Sequence, residues 1–282
     1  MQQTPSILFD RAARRKHLLR ARSTLAEHDF LFAEGADILA ESLLPITRPF
    51  ARVAELYPRT AHLGDVLRAR AGTQLLITGD QLVMDEELLP FADDSLDAIV
   101  SNLSLHTVND LPGLLIQARR ALKPDGLFLA TMPGAGTLRE LRDALAQAEA
   151  AVTGGITPRI APFLEVRDAG NLLQRAGFAL PVVDSISLPV HYSELGALLS
   201  ELRGSGEQNM LQGRQKHFTR RQVFVQAANH YNAHYRDAQG RLHATAEIIT
   251  LCGWKPAPSQ QQPAKRGSGM VHLNDVLKDY QP

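Results

Sequence analysis

The chain has one cysteine, Cys252, in 282 residues. A lone thiol cannot staple the chain to itself, and it cannot build a cysteine-rich metal site. Net charge is lacking too: 30 Lys and Arg balance 30 Asp and Glu, and the isoelectric point is about 7.2. Bulk electrostatics therefore do not favour a nucleic acid or an anionic membrane as partner. No apolar run comes near the ~20 residues that a helix needs to cross a bilayer. The opening MQQTPSILFDRAARRKHLLRARS puts its basic residues after its apolar patch, the reverse of a secretory signal. Asp10 argues against a mitochondrial presequence. The segment reads as part of the mature protein, in a reducing cytoplasm for a bacterial chain and in the mitochondrial matrix for a eukaryotic one. Internal repeats are lacking as well.

The length allows a sizeable core, and the stretch from Gly79 to Met132 organises it. Three short apolar runs, Leu82–Met84, Ala98–Val100 and Leu127–Ala130, fit strands buried in a parallel sheet. Between the last two, Leu111, Leu114, Leu115, Ala118, Ala121 and Leu122 paint one face of a helix. Pro112 suits its first turn, and Lys123-Pro124-Asp125-Gly126 predicts a stop and a turn.

Upstream, helices are expected over Ile7–Arg22, Phe30–Leu44 and Ala61–Arg70, and strands over Phe50–Leu56 and Thr73–Thr78. Downstream, Thr137–Ala151 is a strong helix, in which Thr137 and Glu140 match a capping box. Helices follow over Val166–Ala176, Ser193–Arg203 and Arg220–Tyr235, with strand material at Leu180–Pro189 and His191-Tyr192 and a strand over Thr245–Trp254. The reading is α/β: a doubly wound, mostly parallel sheet with helices on both faces. Residues 1–49 form a helical N-terminal extension. The sheet domain spans 50–254, with cap insertions near 152–165 and 203–236, and 255–282 is an extended tail rich in Pro, Gln, Gly and Ser.

LPFADDSLDAIVSNLSLHTVNDLPGLL and ALKPDGLFLATM resemble the second half of a class I S-adenosylmethionine-dependent methyltransferase domain, a Rossmann-like fold. LFDRAARRKH, SLSLHTVNDLP, GAGTLRELR, GGITPRIAPF, LLQRAGF, GWKPAPSQ and PAKRGS resemble, more narrowly, the respiratory complex I assembly factor 5 family. That resemblance spans nearly the whole chain. It implies S-adenosylmethionine as cofactor and a protein substrate, a complex I subunit, since members are linked to hydroxylation of an arginine there. SNLSLHTVNDLP is also similar to the malonyl-acyl carrier protein O-methyltransferases of biotin synthesis. One departure stands out. The fold normally opens with an acidic residue and a Gly-x-Gly loop beneath the cofactor. Here Val53-Ala54-Glu55-Leu56-Tyr57-Pro58-Arg59-Thr60 keeps the acid and replaces the glycines.

The resemblance places Glu55 and Tyr57 near the cofactor's amino-acid part, Asp80 at its ribose, Asp85 and Glu86 at its adenine, and Ser101 beside them. The plain alternative is that carboxylates at strand ends cap turns. Asn102 and His106 follow the fourth strand, where a methyl group would lie; His106 has the chemistry of a base or polar guide, or of a satisfied helix-start histidine. Arg139 and Arg142 share a helix face suited to a carboxylate or phosphopantetheine arm, or to plain solvation. Tyr192, Arg203 and Asn209 face the expected cap as substrate contacts. Hydroxylation commonly uses iron held by two histidines and a carboxylate. His191-Tyr192-Ser193-Glu194 lacks that spacing, and His230 and His234, one turn apart, lie outside the family-like segments, so no metal site is expected. Two readings stay open beside the enzyme acting on protein: malonyl-carrier methylation, and an assembly chaperone that binds a partner and no cofactor.

Overall fold

The computed structural model describes residues 7–78, 85, 87–261 and 267–268. The expected strand at Leu82–Met84 lies outside the described residues, as do Asp80 and Glu86. Six strands form one sheet: β1 (Arg52–Glu55), β2 (Leu75–Ile77), β3 (Leu96–Asn102), β4 (Leu122–Pro133), β5 (Ala179–Tyr192) and β6 (Leu242–Trp254). Their order is β2-β1-β3-β4-β6-β5. β1 pairs in parallel with β2 and β3, and β3 with β4. β6 runs antiparallel to both β4 and β5. Strand order reverses between β1 and β3, and ligands of wound sheets bind outside the carboxyl ends at such a point.

Alternate residues of the central strands face opposite layers. Val53, Ala98, Val100, Leu127 and Leu129 pack with α2 (Phe30–Leu43) and α3 (His62–Ala69). Ala54, Ile99, Phe128 and Ala130 pack with α4 (Leu111–Ala121) and α6 (Val166–Arg175). Burial on both faces is why these strands read as unbroken apolar runs. A separate cluster joins α5 (Arg139–Thr153), α7 (Leu195–Gly204) and α8 (Arg221–His234) to Leu242 and Ala244 of β6.

Two helix starts follow local chemistry. Asp110 accepts the Gly113 N–H at 2.9 Å and Pro112 sits in the first turn of α4, as expected. Asp10 accepts the Ala13 N–H and starts α1 at Arg11 (Arg11–Ala21), later than the expected Ile7.

One expectation fails and a second holds only in part. The Thr137–Glu140 capping box does not form: α5 begins at Arg139, after Leu138 at φ +55°. Thr137 instead bonds the backbone of Glu247, and Glu140 accepts the Thr245 hydroxyl at 2.6 Å and N–H at 3.1 Å. α4 ends at Ala121, just before Lys123–Gly126, as expected, but the expected turn is taken within a strand. Leu96 pairs with Leu122 and Ala98 with Leu127, so these residues bulge out within β4, with Asp125 at φ +63°.

The N-terminal segment is strapped across the carboxyl edge of the sheet. Asn109 Oδ1 accepts the N–H groups of Leu8 and Phe9 at 2.9 and 2.8 Å. Phe9 bridges to Leu211, and Asp10 accepts the Arg214 guanidinium at 2.9 Å.

Candidate functional site

At the carboxyl edge the chain turns sharply after β1. Tyr57 adopts φ +52°, the left-handed conformation in which glycine is at ease and other residues are strained. Its side chain is half-buried, and its hydroxyl donates to the Asp85 carbonyl at 3.0 Å. Burial, and then the Asp85 charge, raise its pKa. The Asp85 carboxylate accepts from Arg11 of α1 at 2.8 Å and from the Glu87 N–H at 2.9 Å. Those two bonds, the Arg11 one first, hold its pKa below the usual value. Glu55, buried at the end of β1, directs Oε2 toward Gly64 and Arg68 of α3: a Cβ on Gly64 would lie 3.2 Å from it.

Beside this edge lies a cavity of about 330 Å³. Phe30 and Phe32 of α2, Leu141 of α5, Leu202 of α7 and Phe163 make much of its wall. Polar and charged pairs interrupt the apolar lining. His28 meets Glu201 at 2.7 Å and Arg159 meets Glu149 at 2.6 Å. Glu207 takes two partners, Arg59 Nη1 at 2.8 Å on one oxygen and His106 Nε2 at 3.0 Å on the other. Arg59 also donates to the Ser205 carbonyl and lies 5.2 Å over the Phe32 ring. Burial works against the Glu207 charge, but His106 and Arg59 outweigh it and pull its pKa down to about 2. The carboxylate stays ionised.

The cavity gathers His106, Tyr192, Arg203 and Asn209 of the expected site residues. Asn209 donates to the Pro158 carbonyl at 2.8 Å. The Tyr192 phenol has its pKa raised by burial and by Glu201. Arg142 lines a second, more open cavity instead, with Leu8, Pro158 and Leu211. Neither of these two cavities takes in Glu55, Tyr57, Asp85, Ser101, Asn102 or Arg139, and Asp80 and Glu86 lie outside the described residues. Arg139 is exposed and pairs with Glu140 at 3.0 Å. Ser101 donates to the Leu56 carbonyl. The Asn102 amide donates to Phe32 O at 2.7 Å and accepts from Thr131 at 2.8 Å, so its hydrogen bonds go to the scaffold. His230 pairs with Asp143 at 2.8 Å and stacks on His234. Among the described residues no group of three His, Cys, Asp or Glu could share a metal ion.

Sequence reasoning missed Glu207. The acid of Gly204-Ser205-Gly206-Glu207 stands in a loop where an exposed carboxylate is ordinary, and its histidine lies 101 residues away. It noted Arg59 only as a lost glycine.

Comparison with known proteins adds the following. A methyltransferase-domain family model matches residues 46–130. The chain is 36% identical over 289 residues to "Arginine-hydroxylase NDUFAF5, mitochondrial" of Danio rerio, covering 96% of this chain and 90% of that protein. It is 28% identical over 299 residues to the malonyl-[acyl-carrier protein] O-methyltransferase of Laribacter hongkongensis, covering 96% of this chain and 98% of that protein. Among solved structures it is similar to the YcgJ protein of Bacillus subtilis, with 13% identity, a TM-score of 0.48, and coverage of 79% of this chain and 99% of that one.

Proposed function

This chain belongs to the family of the arginine-hydroxylase NDUFAF5, and from that membership we propose that it modifies an arginine side chain of a protein partner during assembly of respiratory complex I. The observation that carries the reading is a match along 96% of this chain and 90% of the zebrafish relative. The cavity supports it. Apolar walls suit the methylenes of a long cationic side chain, and Glu247 places a carboxylate in the wall.

S-adenosylmethionine is the cofactor that the methyltransferase-domain match over residues 46–130 supports. Glu55 closes β1, Ser101 lies near the end of β3, and the backbone at Tyr57 makes the left-handed turn even without glycine. Glu55, Asp85 and Ser101 are the residues that would hold it. When bound, it supplies a methyl group on a sulfonium, open to in-line displacement. The protein's own part is alignment and exclusion of water. Asp85 must first exchange partners, because Arg11 and the Glu87 N–H already occupy its carboxylate. His106 is the polar side chain nearest in chain order to the end of β3 that reaches the cavity, and it is suited to hold or take a proton there.

Mass spectrometry of complex I subunits tests the reading, comparing a strain without this gene to the same strain carrying it. The expected result is an arginine bearing one added oxygen atom or one added methyl group only when the gene is present. Arginines identical in both strains overturn it. A second reading, methylation of a malonyl group on acyl carrier protein, is favoured by the 98% coverage of the Laribacter relative. Relief of biotin dependence in a host lacking that methyltransferase would establish it, and no relief removes it.

A further inference from the structure

We propose that Glu207 is a positioning residue: its carboxylate fixes the His106 ring so that Nε2 donates to it and Nδ1 is the hydrogen-bond acceptor offered to a group entering the cavity. The proposal deepens the arginine reading, on which the identity of the incoming N–H rests. The state of the ring does not depend on that reading.

The assignment follows from which atoms can donate. A guanidinium only donates, and an ionised carboxylate only accepts. Arg59 Nη1 takes one oxygen of Glu207 at 2.8 Å, and His106 Nε2 lies 3.0 Å from the other. Nε2 must therefore carry a proton. In the neutral ring that proton is the only one, so there Nδ1 is left as an acceptor. His106 Nδ1 is buried and has no hydrogen-bond partner among the described residues, and neither has the hydroxyl of the next residue, Thr107. Both residues belong to the cavity wall, where Phe163 presents its ring to His106 with centroids 6.0 Å apart. A buried acceptor is costly to leave unmet. Nδ1 therefore suits an incoming N–H or O–H donor, such as an edge of a guanidinium.

Glu207 also ties the loop after β1, the turn after β3 and the segment after α7 together, and it would do so as mere glue. Glu207→Gln separates the two roles. The glutamine carbonyl must face Arg59, which can only donate, so its NH₂ faces Nε2. His106 must then accept at Nε2, and its proton moves to Nδ1.

Nitrogen-15 NMR of the imidazole rings tests this, at a pH where imidazole is neutral, with the His106 signals identified by their loss in His106→Gln. The wild type is expected to show the proton on Nε2, and Glu207→Gln to show it on Nδ1. A wild-type proton on Nδ1 overturns the proposal, as does a folded Glu207→Gln with an unchanged tautomer. Should that variant not fold, the wild type decides alone: a single, non-exchanging Nε2–H tautomer supports the assignment, and a mixture of tautomers overturns it. Unmodified arginines in complex I would remove the functional reading while this spectrum still decided the role of Glu207.

Discussion

Glu207 is held ionised against its own burial, and that has a pH signature. Its pKa in the folded protein lies well below the value of a free carboxylate. The stability it contributes is therefore present above the ordinary carboxylate range and is lost as the pH falls toward about 2. Denaturant midpoints recorded from neutral to strongly acid pH should fall more steeply for the wild type than for Glu207→Gln; parallel curves would contradict this. At the other edge, Tyr57 pays for a left-handed backbone, a strain of roughly 1–2 kcal/mol for a residue with a Cβ. Tyr57→Gly removes both strain and ring, and should tighten S-adenosylmethionine binding several-fold in titration calorimetry. Asp85→Ala should weaken it several-fold, since a hydrogen bond to a charged group contributes about 1.5–3 kcal/mol. Weaker binding by the first variant, or unchanged binding by the second, would put the cofactor elsewhere. Acids at strand ends and His106 were legible in the sequence because their positions follow from the strands. The partner of His106 was not, because only the closed fold brings Glu207 to it.

At the scale of elements, the start of α5 shows why a local motif can match and still not form. A capping box satisfies two helix-end donors with neighbouring side chains. Here β6 offers both of those side chains a stronger claim. Thr137 reaches the Glu247 backbone, and Glu140, buried, takes two hydrogen bonds from Thr245. Glu140→Ala should therefore lower unfolding free energy by about 1–3 kcal/mol, the cost of leaving buried donors unmet. A loss confined to a few tenths would mean that α5 does not need this tie. By contrast α4, with Asp110 and Pro112 at its start and nothing distant competing, formed as its residues suggested. The strands β3 and β4 were legible from their apolar runs. The bulge at Lys123–Gly126 was not, because Pro-Asp-Gly is as good a turn as it is a kink.

For the whole molecule, the wound sheet could be read from the alternation of apolar runs and amphipathic helices. The covering of its carboxyl edge could not. That covering joins residues 8–11 to residues 85, 109 and 210–214, separations that no local pattern encodes. Asn109 is the pin, since its side chain bonds the Leu8 and Phe9 backbones. Asn109→Ala should speed proteolytic cleavage within residues 7–22 while the remaining fragment stays intact; equal cleavage rates would mean that other contacts hold the strap. The bridge between Phe9 and Leu211 also sets a schedule. During synthesis the first of these two residues leaves the ribosome some two hundred codons before the second can meet it, and late, long-range closures are slow. A translating ribosome therefore carries a chain whose first four strands can already be pairing while the strap over their carboxyl edge still hangs open.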